Sequence, residues 1–441
     1  MATTKAATTS TQISRGNRTR TVAVSATSPP LPRPGRRYAI GACACLIRGH
    51  RYRHPAVDTD RLERLAGPAG AEVFAAIAAG LGGAPLTDDA ALRLGTALRR
   101  AHPADLVAEA LTQAGLRQRA AAKFSRADAM FLTRAGWEQA SPEVVARHRA
   151  ARFPQGRVVD LCCGIGGDLL ALAPGREVLA VDLDPVHLWM ARHNAAVYGG
   201  TVDTLLSDVR DVDLAGADAV FVDPARRTGR GRMRTGESEP PLAWCVGLDV
   251  PAIAVKAAPG IDHDTVPAGW ELEFVAVGKD LKEAVAWSPA LAGARARATI
   301  LPAGDTLVAA DGEPVEVRDP GRYLLDPNPA VTRAGAVEEL ARRIGAWKID
   351  ERIAFLCTDS PVTTPFARTL EVVDSGPWDQ KRLPRRLAEL DVGAVDIRRR
   401  GLAGDVDALH RRLKLRGSRR VTLVMTRVRD RPWGLICTDV A

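Results

Sequence analysis

Residues 158–199 constrain this chain more than any other stretch. They read VVDLCCGIGGDLLALAPGREVLAVDLDPVHLWMARHNAAVYG, which predicts a strand, a glycine turn, a helix, a second strand ending in acid and a second helix. Val158 and Val159 open an apolar run that stops at Asp160. Gly164, Gly166 and Gly167 let the backbone turn tightly and approach a ligand, because a residue without Cβ takes positive φ without a clash. Leu169, Leu170 and Leu172 supply the buried face of the next helix, and Pro174-Gly175 ends it. The second strand, 178–181, runs into Asp182, 22 residues after Asp160. A carboxylate at that tip is placed to accept the hydroxyls of a ribose.

The glycines that are missing decide which ribose ligand is expected. The dinucleotide fingerprint G-x-G-x-x-G needs a third glycine, and Leu169 stands there instead. No Gly-Lys-Ser/Thr follows, so a Walker loop is excluded. Asp160, ahead of the turn, would repel a pyrophosphate but suits an ammonium group. S-adenosylmethionine has an amine, a ribose and no phosphate, and is the expected cofactor. Cys162 and Cys163 sit in the ligand turn as small side chains, without a redox role.

The chain has 441 residues and a formal charge of +9, enough length for two or three domains. Residues 1–57 hold ten basic residues and no acid, and 321–441 hold 23 basic against 16 acidic, so 58–320 must carry −8. The basic character therefore belongs to the two ends. No apolar run reaches the roughly 20 residues needed to cross a bilayer. Seven cysteines, at 43, 45, 162, 163, 245, 357 and 437, form no C-x-x-C pair and no metal spacing. A reduced, cytoplasmic chain without a metal site is the expectation.

In chain order, residues 1–57 read as a disordered basic tail, since Ser, Thr, Pro and Arg cannot bury enough surface to order it. Residues 58–150 read as a helical domain, with apolar residues at three and four spacing. Within it, Ser141 is expected to cap a helix that has Pro142 in its first turn. Phe131 and Trp137 are either core aromatics or part of a lid over the site at Asp160.

Residues 151–320 alternate strands and helices, which indicates a doubly wound α/β sheet. A third strand at 204–206 leads to Asp208-Val209, placed to grip an adenine amine. A fourth, 217–222, delivers Asp223-Pro224-Ala225-Arg226-Arg227, and a fifth, 252–255, carries Lys256 at its tip. Strands at 271–277 and 296–301 follow, then a hairpin over 305–317 turning at Asp311-Gly312.

Residues 321–441 form a further basic domain with strands at 353–356, 369–373, 392–397 and 421–425. Between 381 and 420 there are 13 basic residues against five acids. The run includes Arg411, Arg412 and Lys414, and an excess of this size suits a phosphate backbone.

The central stretch, with KFSRADAMFLTRAGWEQASPE ahead of it, resembles the class I S-adenosylmethionine-dependent methyltransferases, and among them the trimethylguanosine synthase branch of RNA guanine-N2 methyltransferases. The resemblance rests on VVDLCCGIGG, AVDLDP and ARHNAAVYG, and on Gly136-Trp137 with Ser141-Pro142-Glu143. It covers about 125–225. The remainder resembles bacterial methyltransferases with a C-terminal THUMP-like domain, a module associated with RNA binding.

The resemblance implies a Rossmann-like sheet in which Asp160, Gly164, Gly166 and Gly167 surround the methionine moiety, Asp182 takes the ribose and Asp208 the adenine. Amino-methylating relatives carry a polar residue, two prolines and an aromatic at the catalytic loop. Here Asp223 and Pro224 remain, but Ala225 replaces the second proline and Arg226 the aromatic.

The expectation is methyl transfer to a base nitrogen of RNA, with guanine N2 the first choice. Asp223 would orient the amine, Arg226 and Arg227 would hold base or phosphate, and Phe124, Phe131 and Trp137 would close the pocket. The alternatives are a methyltransferase acting on a protein or small molecule, and a non-catalytic RNA-binding protein that holds S-adenosylmethionine.

Overall fold

The computed structural model describes residues 59–440 except 226, 229, 230 and 233–236. The expected tail, 1–57, and Arg226 lie outside the described residues.

Four helices open the described chain: α1 (Thr59–Ala66), α2 (Pro68–Leu81), α3 (Asp88–Leu98) and α4 (Ala104–Ala120). Their ends follow the local chemistry. Pro68 occupies the first turn of α2, Gly82 ends it at φ 56°, and Thr87 Oγ1 accepts from Ala90 N to cap α3. Their apolar faces, including Leu62, Val73, Ile77 and Leu106, share one core with Ile165, Leu170 and Met190 of the next segment. The helices thus pack as a continuation of the sheet domain.

Two short helices follow, α5 (Arg134–Gln139) and α6 (Glu143–Ala150). Ser141 does not cap α6, because Pro142 holds that position without a side-chain bond. The Ser141 hydroxyl is buried, donating to Glu283 Oε2 at 3.3 Å and accepting from Arg149 Nη2 at 3.2 Å. A buried ionic partner outcompetes the local cap.

The central α/β unit comprises β1 (Arg157–Leu161), α7 (Leu169–Leu172), β2 (Glu177–Asp182), α8 (Pro185–Val197), β3 (Val202–Leu206) and β4 (Ala219–Val222). A small antiparallel pair, β5 (Arg227–Thr228) and β6 (Gly231–Arg232), comes next, then α9 (Leu242–Val246) and β7 (Ala252–Ala257). The unit ends with β8 (Glu271–Val277), β9 (Asp280–Trp287), β10 (Ala296–Leu301) and β11 (Asp305–Val308).

The nine-stranded order is β11-β10-β8-β9-β7-β4-β1-β2-β3. β3, β2, β1, β4 and β7 run parallel, while β9 lies antiparallel between β7 and β8. Side chains alternate as the pleat requires. Val159, Leu161, Val220 and Val222 face one core, and Val158, Ala180, Ala219 and Phe221 the other. Because β1, β2, β4 and β7 are parallel, four of the expected site residues reach one edge: Asp160 near the end of β1, Asp182 at the end of β2, Asp223 just past β4 and Lys256 near the end of β7.

The expected hairpin over 305–317 is corrected. β11 pairs back on β10 and ends at Val308, and Val317 bridges to Lys348 in the next sheet. Asp311-Gly312 is a crossing segment braced by Arg342, which donates to the carbonyls of Ala310 and Glu313.

The C-terminal α/β unit contains β12 (Tyr323–Pro327), α10 (Pro329–Arg333), α11 (Val337–Ile344), β13 (Trp347–Lys348), β14 (Leu356–Thr358) and β15 (Ala367–Pro377). It continues through α12 (Leu383–Glu389), β16 (Val392–Arg399), α13 (Val406–Arg412), β17 (Arg419–Val428) and β18 (Arg431–Asp439). Its seven strands run β13-β14-β12-β15-β18-β17-β16. Among the described residues no helix is long and apolar enough to cross a membrane.

Candidate functional site

The turn after β1 is built from left-handed residues: Cys162 at φ 64°, Gly164 at 53° and Gly166 at 79°. A Cβ on Gly166 would stand 2.8 Å from Ala191 Cα, and one on Gly167 would stand 2.8 Å from Ala140 Cβ. Glycine is thus needed twice, once against α8 and once against the segment ahead of the sheet. Cys162 accepts a conformation that costs a non-glycine residue roughly 1 kcal/mol or more. Both loop thiols are pushed well above the usual cysteine range, first by burial and then by the neighbouring carboxylates. They remain protonated and small.

Asp182 fixes the other side of the turn. Its Oδ2 accepts from Gly164 N at 2.9 Å and its Oδ1 from Asp184 N at 3.0 Å. Burial raises its pKa, but bonding from His187 and these amides outweighs burial and holds it below the usual carboxylate range. Leu183, 56% exposed, follows it as one of the few exposed large apolar side chains among the described residues. Sequence reasoning passed over Leu183, since a single leucine after a strand reads as core. Asp208 caps the turn at Val209 by accepting from Arg210 N at 2.9 Å, and Val209 itself is buried.

Asp160 is 1% exposed, and neither of its carboxylate oxygens has a hydrogen-bond partner. Its carboxyl is pushed well above the ordinary range by burial, then by Asp223, while Arg149 acts in the opposite direction. A buried, unpartnered acid at the mouth of a glycine turn is incomplete without a donor. The primary ammonium of an amino-acid ligand supplies one, so the donor set fits S-adenosylmethionine.

Asp223 follows β4, with its backbone N–H donating to the Leu161 carbonyl. Lys256, 5% exposed, donates from Nζ to Asp223 Oδ2 at 2.7 Å. Lys256, which as a residue at a strand tip is expected to face the substrate, is thus bonded to Asp223 instead, and Pro224 beside Asp223 is buried. Ala225 and Glu239 exchange backbone hydrogen bonds and close a loop that contains β5 and β6. Arg227 lies in β5, and the sequence from 226 to 234 carries five arginines. That density is a legible signal, of which only the first two arginines entered the sequence reading.

The aromatic lid is largely corrected. Phe124 and Phe131 are each 2% exposed. Phe131 packs edge-on against Trp189 and His193, with centroids 5.1 and 4.7 Å away. Phe131 belongs to the core because α8 covers it, and Phe124 lies in the same apolar cluster. Trp137 on α5 is half-buried, and its Nε1 is buried without a partner. Lys123 Nζ ties down the end of α5 by donating to the carbonyls of Trp137, Glu138 and Ala140.

The motif residues of α8 explain why the preceding segment stays on the sheet domain. Asn194, fully buried, accepts from Phe131 N and donates to the carbonyls of Phe131 and Ile165. Tyr198 accepts from Arg126 N and donates to Glu143, which also accepts from Ser125. Arg411, Arg412 and Lys414 lie elsewhere, exposed on α13 and the turn after it.

Comparison with known proteins adds the family. A family model described as RNA cap guanine-N2 methyltransferase matches residues 155–225, and THUMP domain-like matches 367–439. A domain of unknown function, DUF8688, matches 58–120. A crystal structure from Porphyromonas gingivalis W83 assigned to the methyltransferases superposes with TM-score 0.65 at 21% identity, covering 83% of this chain and 98% of that one. It shows the fold.

Two relatives come from Mycobacterium tuberculosis, strains CDC 1551 / Oshkosh and ATCC 25618 / H37Rv. Each is named an uncharacterized S-adenosylmethionine-dependent methyltransferase and is 41% identical over 303 residues, which cover 66% of this chain and 83% of the relative. With that identity over that length, and with a glycine turn and an orphaned acid suited to the cofactor's amine, the chain belongs to the S-adenosylmethionine-dependent methyltransferases.

Proposed function

We propose that this enzyme methylates a base nitrogen of RNA, with the exocyclic amine of guanine as the first candidate. The observation that carries the reading is the Asp223–Lys256 pair at the end of β4, beside the turn where the cofactor's amine is expected. Lys256 engages Oδ2 of Asp223, which leaves Oδ1 to accept a hydrogen from an incoming amine. The RNA cap guanine-N2 methyltransferase match over 155–225 supports an amine acceptor, and the THUMP domain-like match over 367–439 supports an RNA substrate.

S-adenosylmethionine, when bound, supplies a methyl group already activated on a sulfonium. What remains for the chain is to hold and desolvate the amine in line with that methyl. Asp160 would hold the ammonium, with Gly164, Gly166 and Gly167 around the methionine. Asp182 would take the ribose, and Leu183 and Asp208 would flank the adenine. Asp223 would align the amine lone pair and accept its departing proton. Arg226 stands in the sequence where an aromatic base platform is expected, and a guanidinium can stack on a base or hold a phosphate.

Incubation of the protein and its Asp223→Ala variant with total host RNA, host protein extract and methyl-labelled S-adenosylmethionine tests this. Wild-type label should enter RNA, and the variant should lose about 10²-fold or more of the rate with cofactor affinity nearly intact. Label in protein would replace the substrate class. Equal loss of rate and cofactor affinity would remove Asp223 from its role.

A further inference from the structure

The cations of the C-terminal unit fall into two groups according to their partners. Between 381 and 420, Arg382, Arg385, Arg386, Arg398, Arg400 and Arg420 each pair with an acid of the same unit. Those charges are answered inside the fold. Residues 411–416 read RRLKLR, and Arg411, Arg412, Lys414 and Arg416 are all exposed. Among the described residues none of these four forms an ion pair. The nearby Asp391 does not serve them, because its Oδ2 accepts from the Ser418 hydroxyl at 2.5 Å and it also feels Arg419.

Local structure holds these cations in the open. α13 is capped by Asp405, which accepts from Ala408 N at 3.0 Å, and its last turn carries Arg411 and Arg412. Cations there answer the helix dipole, which accounts for those two alone. Past the helix the backbone is extended at Leu413, with φ −76° and ψ 112°. Leu413 and Leu415 pack onto the cluster around Leu409, while Lys414 and Arg416 stay outside. That alternation sets the two outward cations about 7 Å apart along one line. The far end of the strip is pinned on β16, where a Cβ on Gly393 would lie 1.9 Å from the Gly417 carbonyl oxygen and Gly417 N–H donates to the Val392 carbonyl at 3.1 Å.

Four like charges held in a row without an acid call for a polyanion from outside. A membrane surface is a poor fit, since both leucines of the strip turn inward and no apolar face is left to insert. The strip is also remote from the transfer edge. β16 runs eight residues from it toward Arg400, which donates to Asp326 Oδ1 at 2.9 Å and Thr332 Oγ1 at 3.3 Å. Next to Thr332, Arg333 donates to the carbonyl of Pro259, three residues past Lys256, at 2.7 Å. The length of β16 therefore puts about 26 Å of strand between the strip and the elements that meet the transfer edge.

We infer that residues 411–416 dock the phosphate backbone of the RNA substrate at a point distant from the nucleotide that is methylated. The inference rests on the RNA reading above and adds where the RNA is gripped. The strip and the transfer edge hold different parts of one RNA, so the strip governs RNA affinity and leaves cofactor binding alone.

The test uses the full chain and end-labelled total host RNA, with filter retention measured across a salt series. One variant carries Arg411→Gln, Arg412→Gln, Lys414→Gln and Arg416→Gln together, and a second carries only Lys414→Gln and Arg416→Gln. The control carries Arg382→Gln and Arg385→Gln, whose side chains are 83% and 85% exposed but paired. The fourfold variant should bind RNA about 10²-fold more weakly, with a salt slope shallower by about three, and the twofold variant should show about half that change in slope. Melting temperature and S-adenosylmethionine affinity should stay at wild-type values, and the control should keep wild-type RNA binding. Wild-type RNA affinity and slope in the folded strip variants would overturn docking at 411–416 and leave RNA as substrate. The same loss in the control as in the twofold variant would also overturn it, because the attraction would then belong to the whole surface. No RNA binding by the wild type would overturn the RNA reading and this inference together.

Discussion

The large sheet buries carboxylates in two regions, across β8 and β9 and at the ends of β1, β2 and β4, and treats them differently. Across β8 and β9, Glu271, Glu273 and Glu283 are at most 2% exposed, and each is fully provided for. Glu271 meets Arg152, Arg297 and the amides of Gly293 and Ala294. Glu273 meets His148, Arg152, Trp287 Nε1 and Thr299 Oγ1. Glu283 shares Arg149 with Asp168 and receives Ser141. At the strand ends Asp160 is as deeply buried and has nothing. A buried acid with its partners is part of the structure, whereas one without them is a place kept for a cation from outside.

The sharpest way to break this contrast is Arg149→Met. It would strand Asp168 and Glu283 in the interior, and removal of one partner from a buried ionic set costs about 3–5 kcal/mol. Urea unfolding should show that loss. Unchanged stability would mean that the β8–β9 acids are not held as described.

Asp160→Asn should behave in the opposite way. Removing an unpartnered buried acid should leave stability at or slightly above wild type. Cofactor affinity should fall by about 2–3 kcal/mol, the worth of a charge-assisted bond. Titration calorimetry together with a melting curve separates the two quantities, and parallel losses in both would erase the distinction between regions.

The smallest effects are in pH dependence, where the acids of the two regions have pKa values shifted in opposite directions. Burial and Asp223 raise the Asp160 pKa in the free protein, and an ammonium paired with it would lower it again. Binding should therefore release a proton, and affinity should rise with pH until that pKa is passed. Calorimetry in buffers of different ionisation heat reads the proton directly.

For Glu273 burial works upward, but His148, Thr299 and Arg152 outweigh it and bring the pKa from 4.5 to about 2. Its stabilisation is complete above about pH 4.5 and is lost as pH falls toward 2. Glu273→Gln should flatten that acid limb and leave the pH profile of cofactor binding unmoved.

Much of the cofactor side was legible because its determinants are local. Glycines in a turn, an acid at each strand end and a period-two apolar pattern act within a few residues of one another, and any right-handed βαβ unit brings them to one edge. β9 was missed for the opposite reason. Its DLKEAVAW run reads as polar at the start, and Arg149, delivered from α6, together with the Ser141 hydroxyl makes Glu283 tolerable inside a sheet. β12 and β18 were likewise hidden, because antiparallel partners distant in sequence set their burial.

The sequence by itself determined the parallel core, the glycine turn and the identity of the acids around it. Tertiary structure alone decided which of those acids are satisfied. It turned Lys256 onto Asp223, withdrew Phe131 beneath α8 and Phe124 into the same core, and left Asp160 unpartnered. The physical reason is that a turn or a strand is a property of neighbours in the chain, whereas the neutralisation of a buried charge depends on what other elements bring within about 3 Å of it.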